Sequence, residues 1–231
     1  MNTSASAKIE FLKKVPIFSE LTSRDLERIS QVTHHRSYKK DQVILIEEET
    51  GQTLFILMNG QVKISRIGEE GREVILAVMA EGDIFGEMSL LDGQSRSANV
   101  TLLQDSEMLL IYRDDFLRLL HEFPSIAINL LKELARRMRK SDSQIKSLSL
   151  KDSTGKVTST LIRLAEDIGQ RKGNEVWIKS LPTQRDLANM AGTSRETISR
   201  MLQKLINDGY VIKKGNRIIF LNFDQFKKDF Q

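Results

Sequence analysis

The stretch from Leu181 to Asn222, LPTQRDLANMAGTSRETISRMLQKLINDGYVIKKGNRIIFLN, leaves a chain that contains it few ways to fold. Thr183 with Asp186 three residues on has the form of a capping box opening a short helix. Leu187 and Met190 give that helix one inner face. Ala191-Gly192-Thr193 is a tight turn, with Gly192 free to take the positive φ that ends a helix. Thr193 is placed to cap a second helix whose inner face is Ile198, Leu202 and Leu205. Two short helices about a glycine turn make a helix-turn-helix. Tyr210–Lys214 and Arg217–Leu221 flank Gly215-Asn216, which predicts a β-hairpin wing.

The chemistry of this stretch suits base reading. The first turns of the second helix present Ser194, Arg195, Glu196, Thr197, Ser199 and Arg200, the end of such a helix that enters a major groove. Arginine donates twice to guanine, and glutamate accepts from cytosine N4. Thr183, Lys213 and Lys214 are placed for phosphates. A plainer reading stands beside this one: Glu196 could close a capping box on Thr193, and both arginines could be solvated charges. Charge distribution favours a polyanion partner for this end of the chain. Residues 151–231 hold 15 Lys and Arg against 9 Asp and Glu, a net of +6, whereas residues 1–150 hold 20 against 22, a net of −2.

Upstream the pattern is of another kind. Leu12, Val15, Phe18 and Leu21 open a helical entry, and Thr22 with Asp25 reads as a helix start. Short β-rich runs follow at Val43–Ile46, Leu54–Met58, Val62–Ile67, Val74–Met79, Ala98–Leu103 and Met108–Tyr112. Turn signals separate them, and Asn59-Gly60 between two apolar runs predicts a hairpin. Such spacing implies an antiparallel roll or barrel around an interior pocket. A helix over Asp114–Phe123 should stop at Pro124.

From Ser125 to about Leu150 one helix carries the seam Ala127, Leu131, Leu134, Met138, Ser141, Ile145 and Leu148 in steps of four and three. That is the spacing of a two-stranded coiled coil. The alternative is an amphipathic helix packed only on its own domain. The polar Ser141, followed by Asp142, either fixes register or meets a ligand. Asp152 or Ser153 should cap a helix over Lys156–Gly169, and Gln170–Asn174 should be a surface loop. The fold class expected is α+β: an N-terminal antiparallel, jelly-roll-like β-roll (1–124), a dimerisation helix and hinge (125–152) and a C-terminal winged helix-turn-helix (153–231).

Composition removes several chemistries. The 231 residues include no cysteine, so disulfides, thiolate metal sites and iron–sulfur clusters are out. Three histidines, His34, His35 and His121, are too few and too scattered for a zinc site. No apolar run approaches the roughly 18 residues of a membrane span. The polar opening MNTSASAKIE lacks a secretory stretch, which points to the cytoplasm. Neither a nucleophile–base pair nor paired carboxylates stand in a motif context, so no enzyme is expected.

Two motifs give the chain a likeness to a known family. Thr193 to Arg200, TSRETISR, is similar to the recognition helix of the Crp–Fnr family, and Gly86-Glu87-Met88-Ser89-Leu90 with Arg96-Ser97-Ala98 resembles its phosphate-binding cassette. The likeness covers about residues 15–222 and is greatest to the cyclic-AMP receptor branch. It implies a homodimer on a near-palindrome with half-sites roughly 34 Å apart. Arg195, Glu196 and Arg200 match the branch that reads TGTGA.

The resemblance also implies a cyclic nucleotide effector, cyclic AMP foremost, and RNA polymerase as a partner, with Gln170–Asn174 facing it. Arg96 would fork onto a phosphate, Glu87 would accept from a ribose hydroxyl, and Ser97 would offer a hydroxyl and an N–H. Arg96 is expected at the surface, so that its loss would spare the fold. The plainer version makes Gly82 and Gly86 turn residues, with Glu87 and Arg96 a solvated ion pair. The family carries a Thr-Ser pair on the dimer helix where this chain has Ser141-Asp142, which leaves the effector more open than the DNA. Two rival readings remain: a regulator that acts by abundance without a ligand, and a cyclic-nucleotide-binding subunit that does not touch DNA.

Overall fold

A computed structural model describes residues Ala5–Phe230; Met1–Ser4 of the polar opening lie outside the described residues. The chain divides by contact into two compact units. One comprises the residues up to Ile64 with Met79–Lys140, and the other Ser65–Val78 with the residues from Ser141 onward.

The first unit opens with α1 (Ala5–Leu12), a 3-10 turn (Pro16–Phe18) and α2 (Ser23–Gln31). Thr22 and Asp25 form the reciprocal capping box that the sequence predicts, with the Asp25 N–H donating to Thr22 Oγ1 at 3.3 Å. Strands β1 (His34–Tyr38), β3 (Thr53–Asn59), β6 (Ile84–Phe85) and β8 (Ser106–Tyr112) make one antiparallel sheet in the order β1-β8-β3-β6. A second sheet runs β2-β7-β4-β5, from β2 (Val43–Leu45), β7 (Asn99–Leu102), β4 (Val62–Ile67) and β5 (Glu73–Met79).

The apolar run of β3 is explained by burial on both of its faces. Leu54 and Ile56 enter one core with Leu109 and Ile111 of β8 and the helices α1, α2, α4 (Arg113–Glu122) and the start of α5 (Pro124–Leu150). Phe55 and Leu57 point the other way, into a core shared with Met108, Leu110, Val62, Val100 and Leu102 of both sheets. A period of two thus serves two cores from one strand. The Phe55 and Phe85 rings stack at 5.1 Å across the pair β3–β6.

Several expectations change. Asn59-Gly60 is not a hairpin within one sheet: β3 and β4 lie in different sheets, and Gly60 at φ 100° carries the chain from one to the other. A Cβ there would lie 2.1 Å from Ser106 Oγ, so close packing under the corner also demands glycine. Strand β1 escapes notice because His34-His35-Arg36-Ser37-Tyr38 lacks apolar alternation, yet it pairs with β8 along its whole length. Pro124 does not only stop α4. It is also the first residue of α5, where its missing N–H is no loss.

The second unit contains α6 (Ser153–Ile168), α7 (Gln184–Ala191), α8 (Arg195–Asn207) and α9 (Phe223–Phe230), with a sheet ordered β11-β12-β10-β9. Asp152 caps α6, accepting from the Gly155 N–H at 2.8 Å, so that helix begins three residues before Lys156. The loop expected at Gln170–Asn174 is in fact β9 (Gln170–Lys172) and its turn, paired with β10 (Glu175–Ile178). The wing is β11 (Val211–Lys214) and β12 (Arg217–Phe220).

Aromatic packing closes this unit. Phe226 is fully buried, and its ring lies 5.8 Å from Tyr210, 5.0 Å from Phe220 and 4.9 Å from Phe230. Truncating such a side chain removes its transfer energy and leaves a cavity. Phe226→Ala is expected to lower the stability of this unit by about 3–5 kcal/mol. Denaturant unfolding followed by Trp177, the chain's only tryptophan, measures the loss, and an unshifted midpoint would contradict the packing assignment.

Candidate functional site

The helix-turn-helix forms from local chemistry first. Thr183 caps α7, with Asp186 completing the box: the Asp186 N–H donates to Thr183 Oγ1 at 3.1 Å, and the Thr183 N–H to Asp186 Oδ2 at 3.2 Å. Gly192 ends α7 at φ 58°, ψ 46°. The next cap is Ser194 and not Thr193. Ser194 Oγ accepts from the Thr197 N–H at 3.1 Å, and α8 begins at Arg195. The shift of one residue removes the capping-box role from Glu196 and leaves its carboxylate to face solvent.

Below, Leu187, Ala188, Met190 and Ala191 of α7 and Ile198, Met201, Leu202 and Leu205 of α8 are buried. Above, Arg195, Glu196, Ser199 and Arg200 are exposed, with Thr197 between, half-buried. The Glu196 backbone N–H and then the Ser194 hydroxyl hold the Glu196 carboxyl below its usual range, which keeps it an acceptor. Arg195, Thr183, Lys213 and Gly215 line one concave groove of about 450 Å³ between the start of α7, α8 and the wing. The Leu181 N–H donates to Asn216 O at 2.8 Å and so ties the wing turn to the entry of α7. Lys213 Nζ donates to Gly215 O at 2.9 Å, and Lys214 is exposed. Arg185, exposed on α7, belongs to the same groove. The sequence reading passed over it because it sits inside a capping box and not on the second helix.

In the first unit a smaller cavity of about 100 Å³ brings together Gly86, Glu87, Met88, Ser89, Arg96, Ser97 and Ala98, with Leu45, Ile64, Met79, Phe85, Val100 and Arg137. Gly86 sits at φ 82°, and a Cβ there would fall 2.8 Å from Arg96 Nη1 and 2.9 Å from Thr53 O. Only glycine fits.

Arg96 is not at the surface. It is 6% exposed, and its Nη1 donates to Gly86 O and Ser89 Oγ, each at 2.8 Å, while Nη2 donates to Thr53 O at 2.9 Å. The expectation that its removal would spare the fold is therefore corrected. Truncation takes the donor from three acceptors, of which Gly86 O keeps only a long bond from Ser89 Oγ at 3.5 Å, and each acceptor left buried and unpaired is a destabilising loss on the order of 1–3 kcal/mol. Nor is there a solvated Glu87–Arg96 pair, since both side chains are buried and Glu87 pairs elsewhere.

Glu87 precedes α3 (Met88–Asp92) and is 3% exposed. Its Oε1 accepts from Arg137 Nη1 at 3.1 Å, and its Oε2 is buried with no protein partner. Arg137 on α5 also donates from Nη2 to Ile84 O at 2.7 Å and from Nε to Glu133 Oε1 at 2.8 Å. Its spacing on α5 gave no sign that it turns towards Glu87. Burial pushes the Glu87 carboxyl above its usual range against the pull of Arg137.

The seam residues of α5 do not share one environment. Leu131, Met138 and Ile145, seven apart, are 66%, 69% and 62% exposed, and Ser141 and Asp142 are exposed as well. Leu134 leans on the first unit's core. Leu148 lies at the turn, its Cδ2 3.2 Å from where a Cβ on Gly192 would stand.

A carboxyl raised by burial favours the fold when protonated. That contribution is full below its unfolded value and is lost as pH climbs through the folded one. Glu87→Gln, which mimics the protonated form, should therefore match the wild type in stability at acidic pH. It should become the more stable of the two as pH rises towards neutrality. Paired thermal melts across pH test this, and a gap that is constant or widens on acidification would refute it.

Comparison with known proteins agrees with this geometry. Residues 35–123 match the cyclic nucleotide-binding domain, and residues 155–228 the Crp-like helix-turn-helix domain, together more than half of the chain. The cyclic AMP receptor protein of Thermus thermophilus is 34% identical over 200 residues, covering 87% of this chain and 89% of that one. FixK2 from Bradyrhizobium japonicum superposes with a TM-score of 0.75 at 23% identity, over 85% of this chain and 96% of its own. The regulator CLP of Xanthomonas campestris, described as c-di-GMP responsive, gives 0.70 at 22% identity, over 86% and 99%. The last two likenesses establish the fold only. Among the described residues no His, Asp and Glu cluster could hold a metal, and no helix is long and apolar enough to cross a membrane. With a cyclic nucleotide-binding domain and a DNA-binding helix-turn-helix in one chain, this protein belongs to the Crp–Fnr family of transcription regulators.

Proposed function

We propose that the chain acts as a homodimer that reads TGTGA-like half-sites under the control of a cyclic nucleotide, with cyclic AMP the foremost effector. The observation that carries the DNA half is the exposure of Arg195, Glu196 and Arg200 on the capped end of α8. Arginine forks onto guanine O6 and N7 and the ionised Glu196 accepts from cytosine N4. Thr183, Ser194, Thr197, Ser199, Lys213 and Lys214 surround them with phosphate-directed donors.

The dimer would form along α5, where Leu131, Met138 and Ile145 offer an apolar stripe at heptad spacing. The effector would occupy the cavity at Gly86–Ser89 and Arg96–Ala98. Glu87 Oε2, buried and without a partner, is an acceptor suited to a ribose hydroxyl. Arg96 would exchange its carbonyl partners for the phosphate, a charge-assisted and stronger bond. Ser141 and Asp142 on α5 would face the base. The protein would act in the cytoplasm, with Gln170–Asn174 facing RNA polymerase as the family likeness implies. The exposed carboxylate of Asp142, where the family has a serine, is an acceptor for an amino group of adenine or of guanine.

Titration of a fluorescent TGTGA-palindrome duplex, alone and with cyclic AMP, cyclic GMP or cyclic di-GMP, tests both halves. Tighter binding with one nucleotide supports effector control, while equal binding under all four conditions overturns it in favour of control by abundance. On the same duplex Arg200→Ala should lose about 1–3 kcal/mol and relax discrimination at one guanine. Lys213→Ala should weaken all sequences alike and lower the salt slope by about one. A sequence-independent loss from both variants would sink the base-reading role.

A further inference from the structure

Arg163 on α6 lies outside both the base-reading groove and the effector cavity. Its Nη1 donates to Leu76 O and to Gln144 Oε1, each at 2.8 Å. Leu76 belongs to β5, which is an edge strand of its sheet. Edge strands carry carbonyls with no ladder partner on the outer side, and here a side chain from α6 supplies the donor. A second bond reaches the same strand: Asn189 Nδ2 on α7 donates to Glu73 Oε2 at 3.1 Å. Residues 65–78, the tip of the β4–β5 hairpin, accordingly cluster with residues 141–231. At their other ends the same two strands supply Ile64 and Met79 to the cavity wall.

We infer that Arg163 is a positioning residue for DNA binding, fastening α6 and the helices that follow it to the edge of the β4–β5 hairpin. The inference rests on the effector reading above for its regulatory half. A guanidinium suits the task because the two N–H bonds of Nη1 keep fixed directions in one plane, one to the backbone carbonyl and one to the Gln144 amide oxygen, whereas an ammonium is a point charge on a flexible stem. Burial weakens the hold of Arg163 on its proton, the nearby Asp167 partly restores it, and Nη2 is buried without a partner of its own. A ligand that shifts Ile64 or Met79 moves the strands that α6 and α7 are tied to. The hairpin then acts as a lever from the cavity to the recognition helix.

Amide hydrogen exchange on the full chain, followed by duplex titration with and without cyclic AMP, tests the inference in Arg163→Ala and Arg163→Lys. Both variants should raise exchange at residues 68–76 at least tenfold and leave β10 and β12 protected. Both should also bring the ratio of DNA affinities with and without nucleotide towards one. Asn189→Ala, which cuts the second tie, should do the same to a lesser degree and serves if the Arg163 variants fail to fold. Unchanged hairpin exchange, a retained nucleotide ratio, or a lysine variant that behaves as wild type overturns the inference. If the wild type itself shows no nucleotide response, the effector reading fails separately. The positioning role is then judged on basal DNA affinity, which should fall at least threefold in Arg163→Ala and refutes the role if unchanged.

Discussion

The cavity at Gly86–Ser89 and Arg96–Ala98 is organised by one ion pair, the buried Glu87 with the half-buried Arg137. Removing the Glu87 charge from water is costly, on the order of several kcal/mol, and such a pair survives only if further hydrogen bonds share the load. Arg137 meets that condition by bonding Ile84 O and Glu133 as well, so a single guanidinium joins β6, the start of α3 and α5. Burial raises the Glu133 carboxyl, but hydrogen bonds from Arg136 and then Arg137 bring it below its usual range, so it stays charged opposite them. Glu87 is served less well, with one oxygen paired and the other orphaned. An apolar pair of similar volume would hold the same elements at no greater cost. Keeping a carboxylate there makes sense as the retention of an acceptor.

The DNA-binding unit is stabilised by different means, and this leaves its functional groups free. Its helices are set by caps at Asp152, Thr183 and Ser194 and by the left-handed turn at Gly192. The apolar faces of α7 and α8 lie beneath, and the aromatic group of Tyr210, Phe220, Phe226 and Phe230 closes the unit. Arg195 and Arg200 take no part in these interactions, and Glu196 meets them only through the Ser194 hydroxyl. Those side chains can therefore be changed to alter recognition with little effect on the fold, which is not true of Arg96.

That contrast also explains what could be read in the sequence. Local rules wrote the helix-turn-helix: a capping box, a glycine at positive φ and a period of 3.6 all point the same way, and the error there was one residue in a cap. The β unit is written in non-local terms. β1 has no apolar pattern because its edge position asks little of its side chains, and Asn59-Gly60 is a sound turn signal that says nothing about which sheet the chain enters next. The cassette was legible as a set of residues but not as a geometry. Arg96 looks like a surface fork until Gly51, Thr53 and Gly86 close around it from distant strands. Arg137 and Arg163 were invisible for the same reason, since each acts on a partner more than 45 residues away in sequence.

The two sites also differ in readiness, and regulation can be built on that difference. The groove between α7, α8 and the wing is open at about 450 Å³, whereas the cavity at Glu87 and Arg96 measures about 100 Å³, below the roughly 300–1,000 Å³ of ordinary ligand pockets. A nucleotide bound as proposed above would have to widen the cavity and take Arg96 from three internal acceptors. Its binding energy is therefore spent partly on rearrangement. A ligand shifts an equilibrium only by its differential affinity for the two arrangements. A cavity that must rearrange to be filled supplies such a difference. A preformed one would bind more tightly and change nothing.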